Sequence, residues 1–154
     1  MKKRLLFLVI LLFIVVGCSK ERTMEYLVSR YVEAYTKADM VAAKEIFPPF
    51  YLEYSKDILT KERLESEIDL AKKTYGDDFT ITYKIKGNTK LTEEELANHN
   101  ERMTNTYGAK ENATECYRYE VNSKISGSIK EENDRMTTMG YCKYNGTWYI
   151  VEIG

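Results

Sequence analysis

The chain has 154 residues, with 23 basic against 24 acidic side chains and one histidine. This balanced, mixed-sign charge excludes the basic stripe that nucleic-acid binding needs, and the length suits one domain with its own core. Three cysteines with no CxxC or HExxH spacing exclude the common metal frameworks and imply no cofactor.

Lys2, Lys3 and Arg4 precede an unbroken apolar run from Leu5 to Val16. As a helix the run would span roughly 18 Å, short of the about 30 Å of a hydrocarbon core. It therefore reads as a secretory signal rather than a crossing helix. The run ends in Val15-Val16-Gly17-Cys18, where an ordinary cleavage site would carry a small residue in place of Val15. This stretch resembles the lipobox of bacterial lipoproteins. The resemblance implies cleavage between Gly17 and Cys18, a diacylglyceryl thioether on Cys18, and anchoring at the extracytoplasmic face of a bacterial cell membrane. Two acyl chains give a stable anchor where one does not. The chain then divides into a signal peptide (1–17), a lipidated tether (18–23) and a single domain (24–154). The signal holds three basic and no acidic residues, so the mature part carries a net charge of −4.

From Thr23 the apolar residues Met24, Leu27, Val28, Tyr31, Val32 and Tyr35 recur at one helical face. Asp39 caps a shorter helix through Phe47, which Pro48-Pro49 ends. Phe50, Tyr51, Leu52 and Tyr54 form an aromatic segment. Thr60 caps a third helix with Leu64, Ile68, Ala71 and Tyr75 on one face, and Gly76 suits the left-handed position that stops it. Phe79, Ile81, Tyr83 and Ile85 alternate with polar residues, the pattern of a half-buried strand. Thr92 and Glu95 form a capping box for a fourth helix, followed by a polar loop from Thr104 to Ala113. Three strands close the chain: Tyr117 to Ile125, Met136 to Tyr144 and Thr147 to Ile153. The segment 130–134 reads as the connection between the first two. Asn145-Gly146 is the pair a type I′ hairpin prefers, setting Tyr144 opposite Thr147 and Cys142 opposite Tyr149.

Helices followed by an antiparallel meander indicate an α+β fold, with N-terminal helices packed on the sheet. Here Tyr31-x-x-Ala34-Tyr35-x-x-Ala38-Asp39-x-x-x-Ala43-x-x-x-Phe47-Pro48 is similar to the opening helices of the nuclear transport factor two-like superfamily. Residues 143–151 are similar to its last hairpin. The resemblance implies a curved sheet wrapped around a long helix, making a cone with one open end. The helix starting at Leu91 departs from the commonest cone. Small lipoproteins of this type occur in Gram-positive bacteria. Enzymes of the superfamily set an Asp, His or Tyr inside the cone, but no such set matches here, so no catalytic residue is carried over.

The reading that follows is a non-enzymatic, membrane-tethered binding domain for a small apolar ligand or an envelope protein. Tyr31, Tyr35, Tyr83, Tyr141 and Trp148 are candidate pocket lining, with ordinary core packing as their alternative role. An immunity or inhibitor lipoprotein is a further reading, because an acidic surface can steer a basic partner. An isomerase or hydrolase would draw on Asp39, Glu45, Tyr83 or Tyr141, which no motif supports. His99, among Asn98, Asn100 and Glu101, reads as a solvated surface residue. Export permits a disulfide between Cys116 and Cys142. Strand parity, however, sets Cys116 with Arg118 and Glu120 on a polar face. A simple hairpin register puts Cys142 opposite a residue near Ser123. A disulfide and two separate thiols both stay open.

Overall fold

A computed structural model describes residues 22–131 and 135–152. The expected signal peptide with Gly17, and the expected lipidation site Cys18, lie outside the described residues. Helix α1 spans Met24–Lys37, with the Thr23 hydroxyl accepting the N–H of Tyr26 as its N-cap. Its stripe buries Met24, Leu27, Val28 and Ala34. The helix stops where Ala38 turns left-handed at φ 52°. Asp39 then caps α2 (Met40–Ile46), its carboxylate accepting from Val41 and Ala42 N–H at 2.9 and 3.1 Å.

Pro48-Pro49 ends α2 but also opens a short helix α3 (Pro49–Tyr54) from the aromatic segment. Proline's fixed φ is preorganised for the first helical turn, where no N–H is needed. Helix α4 spans Lys61–Tyr75 under the Thr60 cap. Gly76 follows it at φ 113° and ψ 161°, a positive-φ extended conformation rather than the left-handed helical one expected. Strand β1 is Thr80–Lys90, and α5 is Glu93–Tyr107 with the complete Thr92/Glu95 capping box. Helix α5 runs on into the stretch read as loop and stops at left-handed Gly108. No helix among the described residues is long and apolar enough to cross a membrane.

Strands β2 (Glu115–Ser126), β3 (Arg135–Tyr144) and β4 (Thr147–Val151) complete an antiparallel sheet of order β1-β2-β3-β4. The fold is thus α+β, and the sheet is open and uncurled rather than wrapped around α1. The β3–β4 hairpin has the register read from the sequence, with Tyr144 opposite Thr147 across Asn145 and Gly146, both at positive φ.

The β2–β3 register differs from the sequence reading. Cys116 lies directly opposite Cys142, and the two form a disulfide. The chain turns at residues 127–130, where Gly127 N–H bonds to the Lys130 carbonyl, and Glu131, read as part of the connection, already bridges to Ser126; residues 132–134 of that reading lie outside the described residues. The reason is tertiary. Ile129 N–H donates to the Tyr75 carbonyl at 2.8 Å, and Ser128 N–H to Asp78 at 2.9 Å, so the end of α4 holds the turn. Only glycine fits at 127, because a Cβ there would meet the Tyr75 carbonyl oxygen at 2.2 Å. The turn centre fixes every pair along the two strands.

That register sorts the side chains by parity. One face presents Tyr117, Tyr119, Val121, Tyr141, Trp148 and Ile150 to the cluster built on α1. The other presents Cys116, Cys142, Tyr144 and Val151 to Leu91, Leu96, Ala113 and Phe50. Cys116 is therefore buried, not on a polar face. The disulfide closes a loop with a sequence separation of 26, for which chain-entropy reasoning gives about 3.5 kcal/mol. Replacing both cysteines by alanine should lower the melting temperature by roughly 10 °C. Unchanged melting in a thermal scan would mean that the cysteines are unpaired.

Candidate functional site

The N-terminal half of α1 seals against the sheet, with Met24 and Leu27 almost fully buried. Its C-terminal half does not. Between Val28, Tyr31, Val32 and Tyr35 on the helix and the facing ends of β1, β2 and β3 lies a cleft of about 470 Å³. The sheet contributes Ile81, Tyr83, Val121, Ile125 and Met139 to its wall. Ser123, Thr137, Glu67 and Arg135 supply the polar groups. Each sheet residue is there by alternation: Val121, Ser123 and Ile125 are every second residue of β2, and Thr137 and Met139 of β3.

Tyr31 and Tyr35 stack one helical turn apart, centroids 4.5 Å and planes 29° apart. Burial pushes both phenols above their ordinary range, and the neighbouring carboxylate of Glu67 adds to it. Both stay neutral at physiological pH, able to donate and accept hydrogen bonds. Tyr83 reaches from β1 to α1, its hydroxyl donating to the Glu25 carbonyl at 3.4 Å. Glu67 is held by Arg63 on its own helix at 3.2 Å. Arg135 sits exposed beside the cleft and forms no ion pair with a described residue.

Three of the five aromatic candidates, Tyr31, Tyr35 and Tyr83, thus line one cleft. Tyr141 and Trp148 do not line it. They stack on each other at 4.2 Å with planes 5° apart, and the Tyr141 hydroxyl donates to the Arg22 carbonyl at 2.5 Å. They pack under the start of α1. Sequence reasoning passed over Glu67, Arg135, Thr137 and Met139; only the strand alternation carried a signal for the last two. The carboxylates weighed for an enzyme are engaged elsewhere. Asp39 caps α2. Glu45 accepts from the Tyr26 hydroxyl at 2.6 Å and Arg30 Nε at 3.0 Å.

No protein-family model matches this chain. Neither does any characterised protein or solved structure.

His99 is not a solvated residue. It is 5% exposed, because α5 lies over the disulfide with His99 and Met103 inward. The spacing Leu96, His99, Met103 was the helical stripe that signalled this. Its Nε2 lies 2.8 Å from the Tyr144 hydroxyl and 3.6 Å from Cys142 Sγ, while Nδ1 has no partner among the described residues. His99, Cys116 and Cys142 have metal-ligand atoms within 4.8 Å of one another. Metals bind the thiolate, and a disulfide offers none.

Burial, helped by the charge of Arg102, lowers His99 from 6.5 to about 4. The folded protein therefore holds it neutral, while the unfolded chain takes up a proton below pH 6.5. Stability from this group is intact above that pH and is lost as pH falls toward 4. Between pH 7 and 5 the loss is about 2 kcal/mol. Urea unfolding at both pH values should show wild type losing more than His99→Gln by about this amount. Equal losses would mean that the folded protein admits the proton.

Proposed function

We propose that this chain is a lipid-anchored extracytoplasmic protein that binds a small apolar ligand in the cleft between α1 and the sheet. The observation that carries the reading is the cleft itself. At about 470 Å³ it falls within the range of small-molecule sites, and its wall is aliphatic and aromatic with few polar groups. Native interiors close such gaps, because unfilled apolar walls forfeit dispersion contacts. Two neutral phenols inside and a guanidinium at the mouth are recognition groups, able to orient a hydroxyl or an acidic headgroup.

Binding is favoured over catalysis by the same groups. Burial holds the Tyr31 and Tyr35 phenols protonated, so they serve as hydrogen-bond partners and not as bases. The anchoring half of the proposal is supported by the Val15-Val16-Gly17-Cys18 lipobox alone. Kinship with the nuclear transport factor two-like superfamily belongs to the proposal as well. A long amphipathic helix on an antiparallel meander and the closing Asn145-Gly146 hairpin support it, while α5 and the open sheet depart from the commonest cone.

The test is a methyl-NMR titration of the domain with decanoate and decanol. Shifts should concentrate on Val28, Val32, Ile81, Ile125 and Met139. Filling the space with Val32→Trp should weaken binding roughly tenfold or more while the fold is kept, since area withheld from water is what binding gains. Shifts scattered over the surface, or none, would contradict the reading.

A further inference from the structure

A second cleft, of about 550 Å³, lies at the β3–β4 hairpin end of the molecule. Its wall includes Pro49, Phe50, Tyr54, Tyr107 and Tyr149. Tyr54 is 55% exposed and meets Tyr107 edge-on at 4.9 Å, and Tyr107 in turn packs on Tyr51 at 5.0 Å. An exposed Tyr54 with half-buried Tyr107 and Tyr149 beside it leaves apolar ring surface facing water. The remaining groups, Glu53, Lys110 and Glu111, are mixed in sign, and Glu53 is paired with Lys56.

The described chain begins against this cleft. The Arg22 guanidinium lies over the Tyr149 ring at 5.2 Å and donates to the Glu45 carbonyl at 2.9 Å. The Arg22 carbonyl accepts from the Tyr141 hydroxyl. The start of the domain is therefore held at the rim of the second cleft. Cys18 lies four residues earlier, at most about 14 Å of extended chain. A thioether anchored among lipid headgroups holds Tyr149 and its neighbours at the membrane surface. The first cleft takes residues from the opposite end of β3, Arg135 to Met139, whereas the second takes Tyr144. Along β3 this puts Met139 about 17 Å, and Arg135 about 30 Å, from Tyr144.

We propose that the Tyr54–Tyr107–Tyr149 face rests on the lipid headgroup layer, turning the Tyr31–Tyr35–Tyr83 cleft away from the membrane. The proposal rests on the lipid-anchored reading above. Tyrosine suits the place, since its ring is apolar and its hydroxyl wet, the combination enriched at membrane–water interfaces. With no cationic excess on the face, the contact is made by rings and needs no anionic lipid.

The experiment is hydroxyl-radical footprinting of the mature full chain in phosphatidylcholine vesicles, after its intact mass has been recorded. The control is the unacylated domain free in solution. On vesicles, oxidation of Tyr54 and Tyr107 should fall roughly threefold or more, with Met139 in the distal cleft unchanged. An acylated chain whose Tyr54 and Tyr107 are still freely oxidised overturns this inference alone. So does equal protection in the unacylated control, which would mark a second copy as the occupant. An unacylated mature mass overturns the anchoring reading and this inference with it.

Discussion

The grip of α4 on the β2–β3 turn is the constraint from which the rest of the structure follows. Tyr75 and Asp78 take the N–H groups of Ile129 and Ser128, and Gly127 lets the backbones approach closely enough for them to do so. The turn centre sets the register, and the register sets which side chains face which way. With side chains alternating every residue, a slip of β3 by one against β2 would carry Tyr141 to the α5 side and Cys142 to the α1 side. The disulfide locks the same register from the other end of the two strands.

The two faces of the sheet then do different work. The α5 face packs the disulfide, Tyr144, Val151 and a neutral His99, with Leu91 and Leu96 beside them, and opens at the β3–β4 hairpin end. The α1 face is closed only at the start of the helix, where Tyr141 and Trp148 stack beneath it. Further along, Tyr31 and Tyr35 occupy helix positions that reach the sheet face without filling the space to it. The abundance of tyrosine thus has three uses here: planar filler under α1, polar-tipped lining in the cleft, and a part-exposed cluster near the chain start.

Local chemistry was legible in the sequence wherever the answer was local. The caps at Asp39, Thr60 and Thr92, and the Asn145-Gly146 register, depend on residues within a few positions of one another. The β2–β3 register was not legible, because its turn is chosen by a contact fifty residues away in the chain, between Asp78 and Ser128. His99 was misread for a related reason. Its sequence neighbours Asn98, Asn100 and Glu101 are polar, but the Leu96–His99–Met103 stripe faces a sheet whose buried side could not be known without that register. The division of the aromatic candidates between cleft and core likewise follows from where α1 ends its contact with the sheet, a distance that no spacing encodes.

The central claim is that the cleft between α1 and the sheet is a ligand site. It is tested most directly by the mass of the domain from Ser19 to Gly154, purified from its producing cells and recorded under native and then denaturing conditions. The account predicts an adduct of small-molecule mass in the native spectrum alone, absent from Val32→Trp. A bare mass under both conditions, unchanged after incubation with a lipid extract of the cells, would contradict it.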